Sequence, residues 1–376
     1  MKSSLLMSGL ICTVLLAASG CQKQPAAVEV KPDSAAAAES NAVVQKEKPA
    51  VATTGITQEE AGIKYRVDMP GIKPFLQKAK PGPIVPALLQ NAVPQGLAYI
   101  EDKKWMLVSH YREDGKPSLL SVIDASSGKM VKAIELYKNS STPYTGHAGG
   151  ITASKKHIWI SSDQDVYYLN FEDIVKAENG GKLAFAGSVQ SETRASFTAY
   201  EDGILWIGEF AHGTEYPTDK SHYITNRDDE QHKAWAEGYR LNPETDLPMV
   251  KPEQGQGSAA PDYILSLPDR IQGMSVAKDH IWLSQSYGRK NASTLYRFKN
   301  ILAEKPHSKA SVRSTEVPIW FLDSKNRVDQ MELPPMSEGI FESAGQLHIL
   351  FESGATKYKT SSSYALDRIQ ILPLNE

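Results

Sequence analysis

Between Gln95 and Glu352 a short pattern recurs five times, and it constrains the fold more tightly than any other feature of the chain. Each copy opens on a small-residue step that leads into an apolar strand. The five steps are Gln95-Gly96-Leu97, Gly149-Gly150-Ile151, Ala195-Ser196-Phe197, Gln272-Gly273-Met274 and Glu338-Gly339-Ile340. A polar turn follows, such as Asp202-Gly203 or Ala344-Gly345, and then a second strand. The second strands carry Trp105 to Val108, His157 to Ile160, Ile204 to Ile207, His280 to Leu283 and Leu347 to Leu350. Third strands are expected at 119–123, 166–169, 239–241, 295–298 and 356–359. Fourth strands are expected at 130–136, 183–189, 263–267, 328–333 and 369–372.

Four antiparallel strands, repeated, with aromatics at fixed places, resemble a β-propeller. The resemblance implies an all-β ring of five blades around a central channel. A sixth unit is an alternative if 63–90 forms a degenerate blade; otherwise that segment packs outside or supplies a closing strand. Two insertions interrupt the repeat, at 211–234 and 303–314, and both read as loops. The first holds His212, His222 and His232 and lies just after Glu209, where a lid over the channel mouth fits. Trp159, Trp206 and Trp282 share one position and are expected between blades. His157 and His280, two residues earlier, read as exposed strand residues.

The two ends of the repeat unit point to a site. In a closed ring, the starts of the inner strands and the ends of the second strands meet at one mouth. The matched second-strand residues are His110, Ser162, Glu209, Gln285 and Glu352, all polar. At the inner-strand starts stand Gln95, Gln272 and Glu338, with His147, Arg194 and Arg270 just before. Together these form a candidate ligand-binding mouth. Glu209, Glu338 and Glu352 would bring three carboxylates into one region, and like charges raise one another's pKa. Two arrangements relieve this. Arg194, Arg270 and His147 neutralise them, or a Ca²⁺ ion takes their oxygens, with Gln95, Gln272 and Ser162 completing its shell. The pairing of Glu338-Gly339-Ile340 with Phe351-Glu352-Ser353 is similar to patterns in calcium-binding phytase-like and nucleotidase-like propellers. No phosphate loop, dinucleotide fingerprint, nucleophile elbow or His-Glu-x-x-His run is present. Tyr287-Gly288-Arg289 reads as a rim loop, either plain surface or an anion contact.

The first residues give an address. Lys2, a short apolar run from Leu5 and small residues before Cys21 make a secretory signal, too short to span a membrane. Leu16-Ala17-Ala18-Ser19-Gly20-Cys21 resembles the lipobox of bacterial lipoproteins, with Ala18 where Leu is usual. The resemblance implies cleavage after residue 20 and acylation of Cys21, with Gln22 favouring the outer membrane. Residues 21–61 are rich in Ala, Pro, Lys and Glu, without an aromatic residue, and read as a disordered tether before a folded body at 62–376. Of two cysteines, only Cys21 survives cleavage, so the mature chain holds no disulfide.

A formal charge of −3 leaves no basic excess for nucleic acid. The leading expectation is an envelope lipoprotein, facing the periplasm or the cell surface. Its only membrane contact is the lipid anchor, and its mouth takes a small molecule, peptide or protein partner. The alternative is a Ca²⁺-dependent hydrolase of a phosphate or ester at the same mouth.

Overall fold

The computed structural model describes residues 55–250 and 259–374. The signal at 1–20, Cys21 and the tether up to residue 54 lie outside the described residues. From Gly55 onward the chain is fastened to the body. Ala87 N donates to Thr57 O (2.8 Å), Gln58 Nε2 donates to Ile84 O (2.8 Å), and Ala61 N donates to Asp367 Oδ2 (2.9 Å). The last residues of the expected tether therefore belong to the fold.

The described residues form a five-blade propeller. Blade 1 consists of Ala92–Ile100, Trp105–Arg112, Leu119–Asp124 and Lys129–Tyr137. Blade 2 is Ile151–Ala153, His157–Ser162, Asp165–Asn170 and Gly187–Gln190. Blade 3 is Phe197–Glu201, Ile204–Gly208, Ala234–Arg240 and Tyr263–Leu267. Blade 4 is Ile271–Val276, His280–Gln285, Ser293–Lys299 and Arg327–Leu333. Blade 5 is Ser337–Ser343, Gln346–Phe351, Arg368–Pro373 and Lys80–Ile84. Within each blade neighbouring strands run antiparallel.

Blade 5 corrects the sequence reading. Residues 369–372 are its third strand and 356–359 form a turn. The outermost strand comes from the other end of the chain, with Lys80 opposite Ile371 and Ile84 opposite Arg368. Pro81 and Pro83 sit within it. Proline offers no ladder donor, so such a strand is tolerated only at an outer edge, where it also discourages pairing with another chain. Residues 183–189 divide as well. Lys182–Ala184 runs parallel to the edge of blade 1, and Gly187–Gln190 completes blade 2. Of the 303–314 insertion, Ser308–Val312 is a strand. It pairs with Thr315–Phe321, which lies parallel against Tyr263–Leu267 and widens blade 3 to six strands. The 211–234 insertion folds as a small hairpin, Ile224–Thr225 with Gln231–His232.

The indoles fill the seams between blades. Trp159 packs with Leu205, Ile207 and Tyr239 of blade 3, Trp206 with Met274, Ile281 and Leu283 of blade 4, and Trp282 with Ile340 and Leu347 of blade 5. His157 is buried, against the expectation for it. Its ring lies against Trp159 and Tyr168, and its Nδ1 faces Asp246 O at 3.1 Å. His280 keeps partial exposure and meets Glu342 through Nε2 at 2.5 Å.

The inner strands touch in the order 1-2-3-4-5-1. They do so at the small-residue step. A Cβ on Gly150 would lie 2.5 Å from Phe197 Cα, one on Gly273 2.7 Å from Glu338 O, and one on Gly339 2.5 Å from Leu97 N. Gly96 is closer still to Ile151 N. Real Cβ atoms do not approach backbone this closely, so these positions admit hydrogen only. Gly339→Ala should therefore destabilise the protein by about 2 kcal/mol or more in a denaturant titration. A loss below about 0.5 kcal/mol would show that the ring is not closed by these contacts.

Candidate functional site

Three of the five inner strands bulge just before the glycine. The register with the second strand slips between Pro94 and Gly96, between Ile271 and Gly273, and between Ser337 and Ile340. The extra residues are Gln95, Gln272 and Glu338 (with Gly339). A bulge leaves its residue out of the ladder and re-aims the side chain. Here all three are sent to the channel axis. Gln272 Nε2 donates to Glu338 Oε1 (3.2 Å), joining blades 4 and 5. Gln95 Nε2 donates to Glu352 Oε2 (2.9 Å), joining blades 1 and 5. In blades 2 and 3 the matched positions are Gly149 and Ala195, whose short side chains leave room. The result is a cavity of about 560 Å³ at the mouth.

Glu338 and Glu352 face one another in this cavity. Burial raises the Glu338 carboxyl well above the ordinary range, and the charge of Glu352 and a hydrogen bond to it push the same way. Burial lifts Glu352 to about 7, against the opposing pull of Gln95, Lys357 and Arg289. Glu338 thus keeps a proton at neutral pH, and Glu352 takes up a second as pH falls through about 7. Cations surround them. Arg194, Arg289 and Lys357 line the cavity, with Asp163 as the other carboxylate. Lys357 Nζ donates to Tyr111 Oη (3.1 Å) and to Glu113 Oε1 (2.6 Å), and Tyr111 Oη lies 3.1 Å from Tyr358 Oη. The Arg289 guanidinium sits over the Tyr358 ring at 4.9 Å. His147 is in contact with the Tyr111 ring (4.8 Å) and keeps an open edge, while the protein packed around it lowers its pKa.

Of the residues expected at the mouth, Gln95, His147, Arg194, Gln272, Glu338 and Glu352 line this cavity. Five others do not. Arg270 and Gln285 line a separate cavity beside the 211–234 insertion, with Asp269 and Arg327. Ser162 is buried and accepts the Tyr144 hydroxyl. His110 is fully buried with neither ring nitrogen bonded, and burial, with Arg112, lowers its pKa to about 3. Glu209 is also fully buried. It faces His222 Nδ1 at 2.6 Å and accepts Trp235 N (3.0 Å) and Arg194 N (3.3 Å). The expected cluster of three carboxylates is therefore a pair. Among the described residues no group of three or more His, Cys, Asp and Glu is gathered for a metal ion.

The matched positions diverge because blade 5 is out of step. In blades 1 to 4 the residue three before the matched position (Leu107, Trp159, Trp206, Trp282) faces the next blade. In blade 5 Ile349 packs back with Trp282, and Leu350 faces blade 1. A one-residue slip reverses every side chain of a strand. It turns Glu352, which opens a short 3-10 turn, toward the axis.

Other lining residues were partly legible. Arg289 and Tyr287 are the expected rim loop. Tyr111, Asp163 and Phe210 follow the matched strand ends. Lys357 and Tyr358 were expected in a strand but lie in a turn, and Tyr216 belongs to the insertion expected to cover the mouth. Phe210 and Tyr216 bring the 211–234 insertion to the cavity wall, and Tyr287 Oη donates to Glu215 Oε2 (2.6 Å).

No family description matches the chain, and no curated protein matches it either. Solved structures do. Hydrazine synthase of Kuenenia stuttgartiensis is 10% identical with a TM-score of 0.38, over 75% of this chain and 84% of that one. Glutaminyl cyclase of Myxococcus xanthus is 10% identical at 0.38, over 78% and 94%. A gluconolactonase of Xanthomonas campestris is 11% identical at 0.31, over 84% and 98%. Likeness at this level decides nothing about chemistry, and the fold rests on the strand pairings above.

The Glu209–His222 pair anchors the insertion. Burial works against a charged His222, but the hydrogen bond it donates to Glu209 and the charges of Glu209 and Glu237 outweigh it and raise its pKa. A raised folded pKa stabilises below the unfolded value of about 6.5 and is lost as pH rises through the folded value. Hydrogen-exchange protection over 211–234 should therefore fall on going from neutral to alkaline pH. His222→Ala should abolish that pH dependence and cost about 3 kcal/mol, because it leaves Glu209 buried without its partner. Protection that is flat with pH in the wild type would contradict this.

Proposed function

We propose that the chain is an envelope protein, anchored through a lipid on Cys21, whose propeller captures a small anionic, hydroxyl-bearing molecule in the mouth cavity. The observation that carries this reading is the cavity itself. The Glu338–Glu352 pair keeps at least one proton at neutral pH and so carries at most one negative charge, which with Asp163 faces Arg194, Arg289 and Lys357. The cations supply attraction for a carboxylate or phosphate. The amides of Gln95 and Gln272 and the paired carboxyls supply directional partners for hydroxyls, and Tyr111, Tyr358 and Phe210 supply flat walls.

The proton sets the pH dependence. As pH rises through about 7, Glu352 loses its proton while Glu338 keeps its own, and the pair goes from neutral to a single negative charge. Anion binding should weaken as a result. A second reading, Ca²⁺-dependent hydrolysis, would use the carboxylate oxygens of Glu338 and Glu352, with the Gln95 and Gln272 amides, whose nitrogens now face them, turned over to offer oxygen. They offer fewer than the six to eight oxygens Ca²⁺ takes, so water and substrate would complete the shell, and bound water would be the nucleophile.

Calorimetry with gluconate, citrate and inorganic phosphate, and with glucose as the neutral control, separates these readings. An anion should bind at about pH 6 and lose about tenfold in affinity by about pH 8.5, and Glu352→Gln should remove most of that loss. Binding that needs Ca²⁺ and vanishes with EDTA would favour the hydrolase. Glucose bound as well as any anion, with no pH dependence, would refute the proposal.

A further inference from the structure

The glycine belt divides the channel, and the residues that follow it line a second cavity of about 370 Å³ at the opposite end. Its character is the reverse of the first. Beside the belt it is lined by Leu97, Ile151, Met274 and Ile340, whose side chains are buried in the seams between blades. Further out stand Tyr99, Tyr200 and Phe341, and three carboxylates, Glu101, Glu201 and Glu342, each from a different blade. No Lys, Arg or His lines it.

The walls are built rather than incidental. Phe341 is stacked between Tyr99 (5.3 Å, 5°) and His348 (4.4 Å, 9°). His348 is buried, and burial lowers its pKa to about 4, so it brings no cation to the wall at neutral pH. Glu342 Oε2 is fixed by Trp282 Nε1 (2.9 Å) and His280 Nε2 (2.5 Å), both outside the lining. Burial raises the pKa of Glu201, and the charges of Asp202 and Glu342 add to the effect, so Glu201 and Glu342 sense one another across the space. Buried Thr198, in the same wall, has a hydroxyl without a protein partner.

We infer that this second cavity binds an organic cation, an alkyl amine or diamine, independently of the mouth cavity. Carboxylates on separate blades match separated ammonium groups. The rings of Tyr99 and Tyr200 attract a cation at close range. A hard metal ion wants its oxygens gathered on one centre, and among the described residues no three carboxylates are so gathered.

The test is calorimetry on the full chain with 1,4-diaminobutane and spermidine, and with Ca²⁺ as a competitor. Saturable binding is expected, weakened about threefold to tenfold by Glu201→Gln and by Glu101→Gln, each on a solvent-accessible side chain. Glu172→Gln, on a remote helix, and Glu352→Gln, in the mouth cavity, should leave it unchanged. Three results would overturn the inference: no saturable amine binding by the wild type, equal weakening by Glu172→Gln, or displacement of the amine by Ca²⁺ at lower concentration than the amine itself requires. Because the mouth-cavity variant is included, failure here is distinguishable from failure of the anion site.

Discussion

Backbone touches backbone around the axis of this molecule, and most of its other properties follow from that. At Gly96, Gly150, Gly273 and Gly339 the inner strands come so close that a methyl group has no space. Strands packed this tightly cannot also keep a regular ladder with their second strands, and in three blades the mismatch is taken up as a bulge. The bulged residues are polar and point to the axis. One steric constraint thus closes the ring, separates two cavities, and delivers Gln95, Gln272 and Glu338 to a common point.

Electrostatics then differentiates the ends. On one side, guanidinium and ammonium groups outnumber the charged carboxylates, because Glu338 keeps a proton. On the other, carboxylates stand among aromatic rings with no basic lining residue. Bringing Glu338 and Glu352 together in a desolvated space is unfavourable for two full charges, and retention of a proton is the cheapest relief. Glu209 shows the other solution. It is equally buried but meets His222 and two backbone donors, which satisfy its charge in place.

Much of this was readable from residue patterns. Strand alternation, turn chemistry and the recurring indoles identified five blades, because each blade must bury the same seam. The closing strand at Lys80–Ile84 was open to doubt because its prolines argue against a ladder, and only its edge position permits them. The site was half legible. Matched positions identified Gln95, Gln272, Glu338 and Glu352, yet the same rule placed His110, Ser162 and Glu209 at the mouth. Repeat logic assumes equal register in every blade, and the slip in blade 5 breaks it. Lys357 and Tyr358 were read as part of a strand, whereas they lie in a turn that pairing with Lys80–Ile84 leaves free to reach the cavity.

The central claim is that two carboxyls, fourteen positions apart in sequence, meet at the axis of a closed ring, where Glu338 keeps its proton and Glu352 titrates near 7. Carbon-13 spectroscopy of the glutamate side-chain carboxyls across a pH titration measures this directly. One carboxyl should titrate near 7, because burial raises it, and Glu352→Gln should remove that titration. If every glutamate carboxyl of the wild type titrates within about one unit of that ordinary value, the pair does not exist as described and the mouth cavity has lost its chemistry.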